Sequence, residues 1–137
     1  MKLLVDGRPI RSPLSGSAIF VVNLARAMGE FGINATVFMQ SDGNKNKEIY
    51  NFRDLDRIIS DKNKTFENLL AEFGFNSKKL YPYQDSIIHE TYFARIPLAS
   101  SRKIATIHDV IPLDYPNWFT WKNSFFAKKN FFRQMSE

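Results

Sequence analysis

At 137 residues and 15.9 kDa the chain has room for one domain with a core but not for two well-packed lobes, which excludes a two-domain enzyme within it. With 44% hydrophobic and 24% charged residues the composition is that of a folded globular chain, neither disordered nor fibrous. Nineteen basic residues against 14 acidic ones give +5, which suits phosphate-bearing ligands, nucleic acid or anionic lipid alike. The absence of cysteine removes thiolate zinc sites, Cys nucleophiles and disulfides together. The opening MKLLVDGRPI is too short an apolar run for a signal peptide, and no stretch approaches the roughly 18 apolar residues that span a bilayer. The expected location is the cytoplasm, or the cytoplasmic face of a membrane.

Residues 2–6 form a short Leu/Val run that ends at Asp6-Gly7-Arg8-Pro9, as a buried central strand running into a loop does. Pro9, Pro13 and Ser15-Gly16-Ser17 keep the next ten residues or so irregular. From 17 to 31 the period becomes helical, with Phe20, Leu24, Ala27, Met28 and Phe31 on an apolar face and Asn23, Arg26 and Glu30 on a polar one. Gly32 stands where a C-terminal cap belongs, and residues 35–39 follow as a second strand. Strand, loop, helix and strand in about forty residues make a βαβ unit and hence a parallel sheet. Residues 41–47 read as a polar loop, 48–60 as helix or strand, and 65–73 as a short helix closed by Gly74. Residues 86–89 and 103–108 read as two more strands, each ending in a histidine, and 118–137 as a last helix. On that helix Trp121, Phe125, Phe132 and Met135 share one side, with Lys122 and Arg133 toward another.

The chemistry-bearing residues gather at the expected strand ends. His108-Asp109 can hydrogen-bond a sugar hydroxyl or move a proton, because a neutral imidazole both donates and accepts; equally, it is a strand-end histidine satisfied by backbone. His89-Glu90-Thr91-Tyr92 closes the preceding strand the same way. Two adjacent strands ending in histidine place both imidazoles on one rim, outside the carboxyl ends where open parallel sheets bind ligands. A metal shared by His89, Glu90, His108 and Asp109 is disfavoured, since neighbours on a strand face opposite ways. Asp6-Gly7-Arg8-Pro9 and Ser15-Gly16-Ser17 enclose the loop into the first helix, whose free N–H groups favour an anion, although plain loop-and-cap explains the same residues and three-glycine dinucleotide spacing is missing. Asp54-Leu55-Asp56 is a chance triplet, and Lys128, Lys129 and Arg133 among the aromatics of the last helix suit an anionic membrane or a core face awaiting a neighbour. No stacking motif or basic run points to nucleic acid.

Three segments resemble the amino-terminal domain of family 4 glycosyltransferases of the GT-B fold, notably bacterial mannosyltransferase-like enzymes of surface-polysaccharide assembly. They are MKLLVDGRPI, the stretch SIIHETYFARIPLASSRKIATIHDVIPLDYPNWF with its specific IATIHDVIPLDYP portion, and FFAKKNFFRQMSE. The resemblance implies a Rossmann-like α/β domain of three layers with a mostly parallel sheet: the acceptor-side half of a retaining transferase, spanning 1–137 and incomplete at its carboxyl end. It implies that His108 contacts the transferred sugar, with Asp109 beside it in the motif, and that His89 and Tyr92 face the cleft. Ser15, Gly16 and Ser17 then occupy the glycine-rich turn near donor phosphates and acceptor. That turn departs from the family pattern, having Gly16-Ser17-Ala18-Ile19-Phe20 where members carry a second glycine and a basic residue.

On this reading the partners are a nucleotide-sugar donor, a glycan or glycolipid acceptor, a donor-side domain in cis or in trans, and a membrane surface. No metal or resident cofactor is expected, and the chain alone is expected to be inactive. Two other readings stay open: a sugar- or phosphate-binding module without catalysis, and a small metal-dependent hydrolase using both histidines.

Overall fold

The computed structural model describes residues 1–10, 15–40, 55–60, 71–91, 95–99, 102–108 and 110–136. Five strands, β1 (Lys2–Asp6), β2 (Asn34–Gln40), β3 (Asp56–Ser60), β4 (Ile87–Glu90) and β5 (Lys103–Ala105), form one sheet in the order β3-β2-β1-β4-β5. Every pairing is parallel, so the sheet is of the Rossmann-like α/β kind that the sequence leads one to expect, with β1 at its centre. Strand order reverses between β1 and β4, and the crevice outside the carboxyl ends at such a switch point is where open parallel sheets bind ligands. Among the described helices are α1 (Gly16–Glu30), the one-turn α2 (Ile111–Asp114) and α3 (Trp121–Ser136), with 3₁₀ turns at Lys78–Tyr83 and Pro116–Trp118.

The apolar strands bury both faces of the sheet, as parallel sheets do. Leu3, Val5, Val37 and Met39 pack with α1 on one face, while Leu4, Phe38 and Ile88 pack with Leu80, Ile96 and Leu98 on the other. Helix α1 starts at the N-cap Ser15, whose Oγ accepts from the Ala18 N–H at 3.2 Å. It stops at Gly32, whose φ of 70° supplies the left-handed residue of a paired C-terminal cap: Gly32 N–H donates to Gly29 O and Ile33 N–H to Met28 O. The side that meets the sheet is not the one expected from the large apolar residues. Ala18, Val21, Val22 and Ala25 are buried, Phe20, Leu24 and Met28 pack at the margin, and Phe31 is 79% exposed. Small side chains lie along the line of closest approach because they let the helix backbone come near the strands.

Three other expectations change. Strand β5 ends at Ala105, so His108 stands three residues past it. The last helix begins at Trp121, not 118, because Pro112 and Pro116 divide the preceding residues into two short turns. The outer residues of α3 are Trp121, Phe125, Phe132 and Met135; its inner side carries the buried Ala127 and Asn130. Residues 56–60, left between helix and strand by the sequence, form β3. The expected loop at 41–47 lies outside the described residues, as does 65–70 of the helix expected over 65–73; Ala71 and Glu72 are helical and Gly74 has a φ of 79°.

The turn out of β1 is crowded. Gly7 donates to Phe38 O at 2.7 Å, and a Cβ built on it would meet Val37 Cγ1 at 2.3 Å and Phe38 O at 2.9 Å. Gly7→Ala therefore forces β1 and β2 apart, and urea denaturation is expected to show a loss of about 1–3 kcal/mol. The same substitution at Gly16, which has nothing within 4 Å, leaves packing intact.

Candidate functional site

The carboxyl end of β4 decides what lines the crevice. Register pairs Val5 with His89 and His89 with Ile104, so these residues share the α1 face. Glu90, one residue on, points to the opposite face, where Arg133 Nη2 donates to its Oε2 at 2.9 Å. The two residues thus diverge as strand alternation requires, and they offer no common ion two ligands. His89 is only 8% exposed, and its Nε2 lies 2.7 Å from Thr106 Oγ1. The Thr106 N–H donates to Glu90 O at 2.9 Å, which keeps the chain beyond β5 against β4 and carries it to His108.

Phe20 joins the two imidazoles. Its ring stands edge-on to His108 at 5.0 Å between centroids and to His89 at 6.3 Å. His108 is exposed, so one imidazole is held inside the rim and the other opens to solvent. Burial holds the His89 pKa below the usual 6.5; the nearby Asp6 carboxylate opposes that shift and the His108 ring adds to it. His89 is consequently neutral near pH 7, with one ring nitrogen that donates and one that accepts.

Asp6, one residue past the Val5 that pairs with His89, points to the opposite face of the sheet, and Arg8 lies over the Phe38 ring there. Arg8 grips the Asp6 carboxylate through Nε at 2.8 Å and Nη2 at 2.6 Å, with both side chains fully buried, and its Nη1 donates to Arg95 O at 3.0 Å. The Thr91 hydroxyl donates to Asp6 O. The guanidinium is committed to Asp6 and to the chain at Arg95, and it cannot turn to a phosphate without leaving Asp6 as an unpaired buried charge.

Ser15, Gly16 and Ser17 begin α1, and Ser15 spends its hydroxyl on capping, so loop-and-cap describes this turn. Gly16 is exposed with open space where a side chain would be, one helical turn before Phe20. Of the expected site residues the structure therefore brings His89 and His108 together, with Ser15 to Ser17 at the start of the helix that carries Phe20. Tyr92 and Asp109 lie outside the described residues, as does Asp54; Asp56 begins β3 at the amino end of the sheet, away from the crevice. Among the described residues no group of three or more His, Asp or Glu side chains could hold a metal ion. Phe20 and Thr106 are the site residues that sequence reasoning missed. The signal for Thr106 was the alternation of 104, 106 and 108, and for Phe20 its position in the first turns of a helix that starts at the crevice.

Comparison with protein-family models, with curated proteins and with solved structures finds no match to this chain. The chemistry is read from the geometry alone: a neutral buried imidazole fixed by a threonine, an exposed imidazole beside it, and an aromatic ring between them. Such a rim can hydrogen-bond a polyhydroxylated ligand while offering an apolar edge to its C–H face.

A depressed His89 pKa means that the unfolded chain binds a proton which the folded chain refuses between pH 6.5 and the lower folded value. Stability should be full above pH 6.5 and decline as pH falls through that window. Urea midpoints from pH 7.5 to 5 are expected to drop for the wild type and to drop less for His89→Leu. Equal slopes would show that His89 titrates normally.

Proposed function

We propose that this chain is the acceptor-side half of a retaining glycosyltransferase, a Rossmann-like domain that positions a glycan or glycolipid hydroxyl against a sugar leaving a nucleotide diphosphate. The observation that carries this reading is the pairing of His89 and His108 around Phe20 at the strand-order switch point. His108, exposed on the rim, hydrogen-bonds a hydroxyl of the transferred sugar. His89, held neutral and tied to Thr106, is a positioning residue that fixes Phe20 and the approach of His108.

The contribution is orientation of the reacting hydroxyl and hydrogen bonding to groups that gain charge as the bond to the leaving diphosphate stretches. Arg8 is committed to Asp6 and does not turn to a nucleotide diphosphate. On this reading the contacts to the donor phosphates belong to a second domain. No general base is assigned: in a front-face transfer the departing phosphate oxygen accepts the acceptor proton as the new glycosidic bond forms.

The test follows the histidine resonances by NMR. Methyl α-mannopyranoside and methyl α-glucopyranoside are titrated into the chain, with GDP and UDP as separate arms. Binding of a glycoside should move both imidazole resonances, and His108→Ala should weaken it about tenfold, equivalent to ~1.4 kcal/mol. Glycosides that leave both rings unmoved, or a nucleoside diphosphate that binds tightly to the chain alone, would overturn the assignment. The second of these outcomes favours a stand-alone phosphate-binding module.

A further inference from the structure

Beyond Thr106 the chain leaves the sheet as an arm that folds on itself. Ser124, in the first turn of α3, donates its hydroxyl to Pro116 O at 2.8 Å, the Tyr115 N–H closes α2 on Ile111 O at 2.8 Å, and Tyr115 stacks on Trp118 at 4.6 Å between centroids. Little of this arm enters the core. Among the described residues of 110–136 only Pro112, Ala127 and Asn130 are buried, and none belongs to either apolar cluster that packs the sheet. No described helix, α3 included, is long and apolar enough to cross a membrane.

Charge ties the arm to the rest of the domain. Arg133 Nη2 donates to Glu90 Oε2 at 2.9 Å, and Asn130 Oδ1 accepts from Arg133 Nε at 3.2 Å, which aims the guanidinium at the end of β4. Lys129 reaches Glu72 Oε2 at 2.7 Å with 47% of its side chain exposed, while Glu72 Oε1 is buried without a partner. Ties of this kind open at low cost. An apolar face pulled from a core exposes new hydrocarbon to water, whereas a separated ion pair recovers the hydration that docking removed, which offsets most of the lost attraction. Contacts of the first kind hold β1, β2 and α1 together, and α3 is held chiefly by the second.

The seat of this latch lies beside the histidine rim. Glu90 takes Arg133 on its carboxylate and the Thr106 N–H on its carbonyl, and His108 stands between Thr106 and Val110, where the arm begins. We propose that residues 110–136 form a releasable arm, latched to Glu90 through Arg133, that opens while the sheet stays folded and whose latched position sets His108 against Phe20. This device is independent of the transferase reading: any ligand of the rim meets His108 beside Phe20 in the latched state and a displaced His108 in the open one.

Amide hydrogen exchange on the intact chain tests this, because an arm that opens by itself exchanges ahead of the sheet. In the wild type the α3 amides are expected to exchange about tenfold faster, or more, than those of β1 and β2. Raising sodium chloride from about 0.05 M to about 0.5 M should speed α3 about threefold and leave β1 and β2 unchanged. Arg133→Gln should speed α3 about tenfold and, in the same sample, weaken the nuclear Overhauser cross-peaks between the Phe20 ring and His108. Glu90→Gln/Arg133→Gln, which strands no buried charge, should speed α3 in the same way, so a misfolded single variant leaves the test intact. Lys128→Gln, on the exposed outer side of α3, should behave as the wild type. Equal exchange of α3 and β1 at both salt concentrations, α3 exchange untouched by the double variant, or an opened α3 with the Phe20–His108 cross-peaks at full strength would overturn the proposal.

Discussion

Strand alternation at the end of β4 is the constraint on which the molecule turns. Two consecutive polar residues, His89 and Glu90, leave a buried strand on opposite faces, and each organises one side of the domain. His89 meets Thr106, Phe20 and, through that ring, His108. Glu90 receives Arg133 and Gln134 from α3 and the Ile96 N–H from the following loop. One builds the histidine rim at the carboxyl ends of the strands and the other sets the rotation of a helix whose aromatic side must then face outward.

The buried Asp6–Arg8 pair complements that arrangement at the neighbouring strand. Such a pair is poor evidence of net stability, because desolvating two charges offsets most of their attraction. Its value here is directional. Arg8 can satisfy Asp6 and the carbonyl of Arg95 only if the loops after β1 and after β4 lie side by side, and Asp6 O holds Thr91 in the same place. Those loops begin the two walls of the crevice. A charge pair placed there fixes the spacing of the two loops and commits the Arg8 guanidinium to Asp6 and Arg95.

Much of the architecture was legible because periodicity is a local signal. The alternation of apolar strands with one strongly amphipathic helix determined a parallel sheet, and the glycine at 32 marked the end of α1 by its positive φ. Both histidines were visible as residues; register sets His89 beside Ile104, and the chain beyond β5 carries His108 to the Phe20 ring. Less legible were the sides that helices bury. On α1 the expected face held Phe31, yet small residues won the sheet contact; on α3 the expected apolar face became the outer one because Arg133 had a buried carboxylate to reach. Such choices depend on partners distant in sequence. For Phe20 the sequence offered only its place in the first turns of α1, and only the packed helix shows that its ring meets both residues 89 and 108.

The functional reading rests on His89, Phe20 and His108 forming one contiguous rim, and nuclear Overhauser contacts test that directly. With the aromatic side chains isotopically labelled, the Phe20 ring protons should show cross-peaks to the imidazole protons of both histidines at pH 7. Cross-peaks to one histidine alone, or to neither, would contradict the rim and remove the geometric basis for placing a sugar there.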